Sequence, residues 1–209
     1  MTIDNEAELI DRAIHGDEEA LALLFSAHRE RLRRVVAFRL HPKLRSRVDP
    51  DDILQEAYLN AAQRLGRFLH DGTHSFFIWM RLILNQTLAD VHRRHLGAQI
   101  RDARREVHSR PASMGDSTSL SLTVHLIGHL TSPSQAALRE ELSEKIDAAL
   151  STMSELDQEV LAMRHFEELS NSEIAAALEI SEQAAAMRYI RALGRIRDIL
   201  ETIPGFQVE

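Results

Sequence analysis

The chain contains no cysteine, which excludes a disulfide framework, a thiolate metal site and a cysteine nucleophile. A reducing cytoplasm is compatible with that absence and is the expected location. Proline and glycine are sparse, 5 and 8 among 209 residues, so helix breakers are few and low-complexity or collagen-like classes are excluded. Aromatic residues make up 5%, which leaves Leu, Ile, Ala and Met to build the cores. No apolar run approaches the roughly 20 residues of a membrane span. The first stretch, Met1–Ala20, is acidic and amphipathic, unlike a secretion signal. No membrane insertion is therefore expected. No segment alternates in the manner of a strand, and no internal repeat is visible. A phosphate-cradling glycine loop, a nucleophile elbow and a paired-carboxylate signature are all missing. The expectation is a protein that is not an enzyme, with no catalytic residue, no cofactor and no metal.

What is present is a globular composition, 44% hydrophobic and 27% charged, with a formal net charge of −7. That balance is unusual for a nucleic-acid binder, but distribution decides the matter rather than the sum. Basic residues concentrate in Arg29–Arg39, Arg93–Arg110 and Arg188–Arg197, and acidic ones in Asp4–Glu19, Asp49–Glu56 and Glu140–Glu173.

The most organised stretch is Leu169–Leu200. Ser170 and Glu173 form a capping box, and Ile174, Ala175 and Leu178 share one face of a short helix. Ser181 caps a second helix, on which Ala185, Tyr189, Ala192, Ile196 and Leu200 recur at core spacing. Arg188, Arg191 and Arg195 lie off that stripe. A short capped helix, a tight turn and a longer helix with an arginine face are the sequence form of a helix-turn-helix. A plain helical hairpin with a solvated arginine face is the competing reading. Glu179 occupies the turn position where glycine is common, and a side chain there tolerates positive φ poorly.

Upstream, Leu9, Ile10, Ala13 and Ile14 form one apolar stripe, ended by Gly16. Asp17 caps a long helix carrying Leu21, Leu24, Phe25, Leu32, Val35, Val36 and Leu40, broken at His41-Pro42. Asp49 caps a helix with Pro50 at its first position and Asp51 and Asp52 in its first turn. Its buried face runs from Ile53 through Leu65, leaving Asp52, Gln55, Glu56, Leu59 and Asn60 on other faces. A polar loop, His70–Ser75, precedes a helix from Phe76 to His95 with a basic far end. From Pro111 to Ser134 the composition turns to Ser, Thr, Gly and Pro, a linker pattern around the apolar island Leu120–Leu130. That island is either a docking segment or a piece packed loosely on one domain. Two further helices then lead into the helix-turn-helix. The fold expected is all-α: two small helical domains at 1–98 and 137–209, joined by a flexible linker at 99–136.

Four ordered blocks together resemble the extracytoplasmic-function (ECF) sigma factors of the sigma-70 family. They are Gly16–Leu32, Asp49–Phe68 with its Asp-x-x-Gln-Glu, Phe76–Arg94, and Leu142–Leu200. The resemblance implies a region 2 bundle and a region 4 helix-turn-helix that bind core RNA polymerase first and promoter DNA second. It implies that region 2 docks on the clamp coiled coil through Asp52, Gln55, Glu56, Leu59 and Asn60, and that region 4 docks on the flap. It places the −10 element against His70, Gly72, Thr73 and His74 in the loop, and against Trp79, Arg81, Gln86, Arg93 and Arg94. It places the −35 element against Gln183, Ala184, Met187, Arg188 and Arg191, with Arg195 near phosphate. An anti-sigma factor is a candidate further partner. The chain departs from the family pattern at Asn85-Gln86, where Arg-Asn is frequent, and at Ala184, Ala185 and Ala186, where threonine, valine and lysine are common. Alanine offers base edges no hydrogen bond, which shifts −35 reading toward shape and phosphate contacts.

Two rival classes stand beside this one. A stand-alone helix-turn-helix regulator would bind its own operator, often as a dimer. A metalloenzyme is suggested by 11 histidines, among them His125 and His129 at zinc-pair spacing, but the glutamate of H-E-x-x-H is missing. His92 and His95 lie beside the arginine cluster, where phosphate contact fits better than metal.

Overall fold

The computed structural model describes residues 3–66, 75–103, 114–130 and 136–201. It divides into two compact units, Met1–Ser109 and Arg110–Glu209. Among the described residues every regular element is helical.

The first unit contains α1 (Ile3–Ile14), α2 (Glu18–Arg39), a single 3-10 turn (Pro42–Leu44), α3 (Pro50–Arg64) and α4 (Phe76–Ala103). Gly16 makes the left-handed turn after α1, at φ 95°. Asp17 then caps α2 by accepting the Ala20 amide at 3.1 Å, while Arg12 closes on the same carboxylate at 2.7 Å. Asp49 caps α3 by accepting the Asp51 amide at 2.9 Å, with Pro50 just inside the helix. The apolar faces of α2, α3 and α4 meet in one core, in which Leu24, Leu32, Phe38, Ile53, Leu54, Phe76, Phe77, Trp79, Met80 and Leu84 are fully buried. Burying one large apolar side chain contributes roughly 1.5–3 kcal/mol, so this core is the main source of the unit's stability. α4 runs beyond His95, its expected end, and into the segment expected as linker.

The second unit contains α5 (Met114–Leu130), α6 (Ala136–Ser151), α7 (Glu155–His165), α8 (Asn171–Leu178) and α9 (Glu182–Leu200). Here the linker expectation needs correction. Residues 114–130 form a helix that packs on α6 and α7. Leu122 is fully buried, and the Thr118 and Thr123 hydroxyls donate to the carboxylates of Glu159 and Asp147. Threonines that read as linker composition are, in α5, side chains bonded to neighbouring helices. Of the two readings of the apolar island, packing on a domain describes it.

The capping box at Ser170 is present in both directions, Glu173 amide to Ser170 Oγ at 3.2 Å and Ser170 amide to Glu173 Oε2 at 2.9 Å. Ser181 Oγ accepts the Ala184 amide at 3.1 Å. Between them Glu179 adopts φ 55°, ψ 41°. The left-handed turn is thus made without glycine, and Cβ crowding against the carbonyl destabilises it by about 1 kcal/mol. Glu179→Gly is expected to recover about 1 kcal/mol of that strain, slowing exchange of the Ile180 and Ala185 amides about fivefold in native-state hydrogen exchange.

Candidate nucleic-acid interface

α3 and α4 carry the candidate residues of the first unit. The period of α3 divides its five candidates. Asp52, Gln55 and Leu59 project into solvent, and Leu59 remains 54% exposed although it is apolar. Glu56 and Asn60 instead turn toward α4. Glu56 accepts both contacts from Arg94, at 2.9 and 2.7 Å. The Asn60 amide donates to Thr87 Oγ1 at 3.1 Å, and Thr87 donates onward to the Ile83 carbonyl at 3.0 Å. A buried hydroxyl must find partners, so the Asn60–Thr87 relay holds the two helices in register.

Along α4, Leu82, Gln86 and Arg93 recur at i, i+4 and i+11, which sets them on one stripe. All three are exposed. Gln86 accepts from Arg64, and Arg93 pairs with Asp90 one turn earlier. Leu82 was not singled out from sequence, and the structure leaves it 48% exposed. Two candidates do not reach the surface. Trp79 is 1% and Arg81 5% exposed. Trp79 packs at 5.8 Å from the Phe76 ring inside the core. An aromatic ring and a guanidinium beside a basic helix suggest DNA contacts, but the helical phase turns both inward, into the core of the unit. His70, Gly72, Thr73 and His74 lie outside the described residues.

His92, read as a phosphate contact, faces the 3-10 turn instead. Its Nε2 accepts the His41 amide at 3.2 Å, and His41 Nδ1 accepts the Lys43 amide at 3.2 Å. Both imidazoles titrate below their ordinary value, His92 through burial and then His41, and His41 through burial and then Lys43 and Arg45. The unfolded chain therefore binds protons below about pH 6.5 that the folded chain refuses. Stability is expected to be complete above that pH and to decline as pH falls toward the depressed folded values. His92→Gln keeps an acceptor without titrating, and urea unfolding of this variant should show a shallower decline between pH 6.5 and 5 than the parent chain.

In the second unit α9 buries Ala185, Ala192 and Ile196. Tyr189, expected in the same core, is half-buried. Gln183, Met187 and Arg191 are exposed, and Ala184 is half-buried at the first turn. The arginine face is not uniform. Arg188 pairs with Asp157 of α7 at 2.7 Å, and Arg195 donates to the Thr152 carbonyl at 2.7 Å. Arg191 reaches back to the Met187 carbonyl of its own helix, at 3.4 Å. Apolar Met187, Ile190 and Leu193 also face outward, at 51%, 60% and 39%. Asp157 and Thr152 were not singled out from sequence. The Ser154-x-x-Asp157 spacing, a helix-start pattern, is the signal that pointed to Asp157.

Among the described residues no group of three or more His, Cys, Asp or Glu side chains could hold a metal ion. His125 is engaged by the Ser121 carbonyl at 2.9 Å and by the Phe166 ring at 5.4 Å.

The family profile described as ECF sigma factor matches residues 4–198. The chain belongs to the ECF sigma factor family. It is similar to the RNA polymerase sigma-H factor of Pseudomonas aeruginosa, 24% identical over 203 residues and 97% of both chains. It is also similar to the ECF RNA polymerase sigma factor BldN of Streptomyces coelicolor, 22% identical over 90% of this chain and 64% of that one. A solved structure of CnrH in complex with the cytosolic domain of CnrY shares the fold, with a TM-score of 0.54 at 20% identity over 95% of this chain and 98% of that one. As an ECF sigma factor the chain directs transcription initiation as a non-catalytic subunit of RNA polymerase. Among the described residues no helix is long and apolar enough to cross a membrane.

Proposed function

We propose that the two units divide promoter recognition. The first holds core polymerase through the outward stripe of α3, Asp52, Gln55 and Leu59, and meets the −10 region through Gln86, Arg93 and Arg94 on α4. The second meets the −35 element through the first half of α9, with Gln183, Ala184 and Met187 at the bases and Arg191 at phosphate. The clamp coiled coil and the flap are the proposed docking points on the polymerase. The observation that carries this division is the coincidence of exposed, chemically suited side chains with the positions that match the family's motifs. An anti-sigma factor is a further proposed partner, supported by the exposed apolar residues of α9. With a net charge of −7, the free chain should hold duplex DNA weakly, because phosphate contacts scale with available cations.

The test is reconstitution of purified chain, core RNA polymerase and a duplex carrying paired −35 and −10 elements. The expected result is a run-off transcript that requires both proteins and both elements. Tight, sequence-specific binding of duplex by the chain alone would overturn the division and favour an operator-binding regulator.

A further inference from the structure

Two arginines of the α9 face are turned onto the neighbouring junction of α6 and α7. Arg188 closes on Asp157 at 2.7 Å, with both side chains partly buried at 29% and 15%. Asp157 lies in the first turn of α7, where its amide donates to Ser154 Oγ at 3.1 Å. Burial pushes the Asp157 carboxyl up, but hydrogen bonds from Arg188 and Ser154 outweigh it, and the group is held below the usual carboxylate range. Two turns further along α9, Arg195 donates to the Thr152 carbonyl at 2.7 Å. Residues 188 and 195 are seven apart, so they lie on nearly the same side of the helix. Both reach the same short junction, Thr152–Asp157, between α6 and α7. Two anchors on one side of a helix fix its rotation about its own axis. Between the two anchors and just before them the buried residues are small, Ala192 and Ala185, with the larger Ile196 only beyond Arg195. Such a contact surface has few large knobs to resist rotation, so the polar anchors must supply that resistance.

We propose that Asp157 is a positioning residue for −35 recognition. Through Arg188 it fixes the rotation of α9 so that Gln183 and Met187 are presented to the bases, while the long side chain of Arg191 reaches phosphate in either rotation; Arg188 is an anchor rather than a phosphate ligand. The proposal rests on the reading of α9 as the −35 element's partner and assigns different tasks to its arginines.

The sign of the effect separates positioning from proximity. Removing a carboxylate from a DNA-facing surface strengthens DNA binding by simple electrostatics. A positioning role requires the opposite. The measurement is the affinity of holoenzyme, assembled from full chain and core polymerase, for a fluorescent promoter across a salt series. Asp157→Asn and Arg188→Ala are each expected to weaken binding about tenfold, as is the double variant, because all three break one contact. None should change the salt slope, whereas Arg191→Ala should lower it by about 1. Arg188→Lys, which retains a cation for Asp157, should bind nearly as the parent does, and circular dichroism should show full helix content in each variant. Unchanged or tighter binding by Asp157→Asn overturns the proposal, as does a lowered salt slope for Arg188→Ala. Loss of helix content in Asp157→Asn transfers the decision to Arg188→Lys, whose weakening together with a lowered slope also overturns it. If scrambling the −35 element leaves parent holoenzyme binding unchanged, the reading of α9 itself fails, and the proposal with it.

Discussion

Leu59→Asp is expected to weaken assembly with core RNA polymerase by at least about 30-fold, or roughly 2 kcal/mol. Leu59 is 54% exposed on a helix that buries Ile53, Leu54, Ala57 and Ala61, so the core of the unit does not account for a leucine there. It stands between Asp52 and Gln55 on one side and Ala62 on the other along the outward stripe of α3. In a docked complex it would be the apolar centre of a polar patch, the position where interface energy concentrates. An aspartate there must lose its water on docking and gains no partner in return. The free chain should be indifferent, because substitutions at exposed positions generally stay within about 0.5 kcal/mol. The measurement is competition against labelled parent chain for core polymerase, with circular dichroism as the folding control. Asn60→Ala provides the contrast. It removes the bond to Thr87 and should cost the fold about 1 kcal/mol, with a smaller effect on assembly. Equal affinities for Leu59→Asp and parent would move the docking face away from the α3 stripe.

Trp79→Ala is expected to destabilise the first unit by about 3–5 kcal/mol, the range for emptying a buried aromatic site. For a unit of this size that lowers the unfolding midpoint by more than about 12 °C. The loss is a large share of the roughly 5–15 kcal/mol by which a domain is stable. Trp79 is 1% exposed, with Phe76 alongside and Phe77 and Met80 equally buried. The outcome to measure is the thermal transition by circular dichroism, together with promoter opening by holoenzyme below the new midpoint. Trp79→Phe keeps an aromatic ring in the cavity and should open promoters almost as the parent does. A Trp79→Phe chain that folds fully yet fails to open DNA would restore the stacking role that the burial of Trp79 removes.

The elements themselves were legible because their signals are local. The Asp49-Pro50 start of α3, the Ser170–Glu173 capping box and the Asp17 cap each consist of residues within one helical turn, and each has the expected bonds. The four motif blocks are likewise continuous stretches of sequence, which is why the family could be read from them. α5 was missed because its outward signal is compositional. Thr118 and Thr123 look like linker residues until their carboxylate partners, Glu159 and Asp147, arrive from 24 or more positions away.

For the candidate site the division is the same. The sequence alone determined that this chain is helical, that it carries a capped helix-turn-helix with arginines off its core stripe, and that α3 leaves polar residues outside its apolar face. Tertiary structure decided what each of those side chains touches. Arg94 closes on Glu56 across 38 positions, Arg188 on Asp157 across 31 and Arg195 on Thr152 across 43. A side chain's helical phase is written in its neighbours, but its partner is set by how helices distant in sequence come together. That separates Leu59, Gln86 and Arg191, which face outward, from Trp79, Asn60 and Arg188, which hold the helices in place.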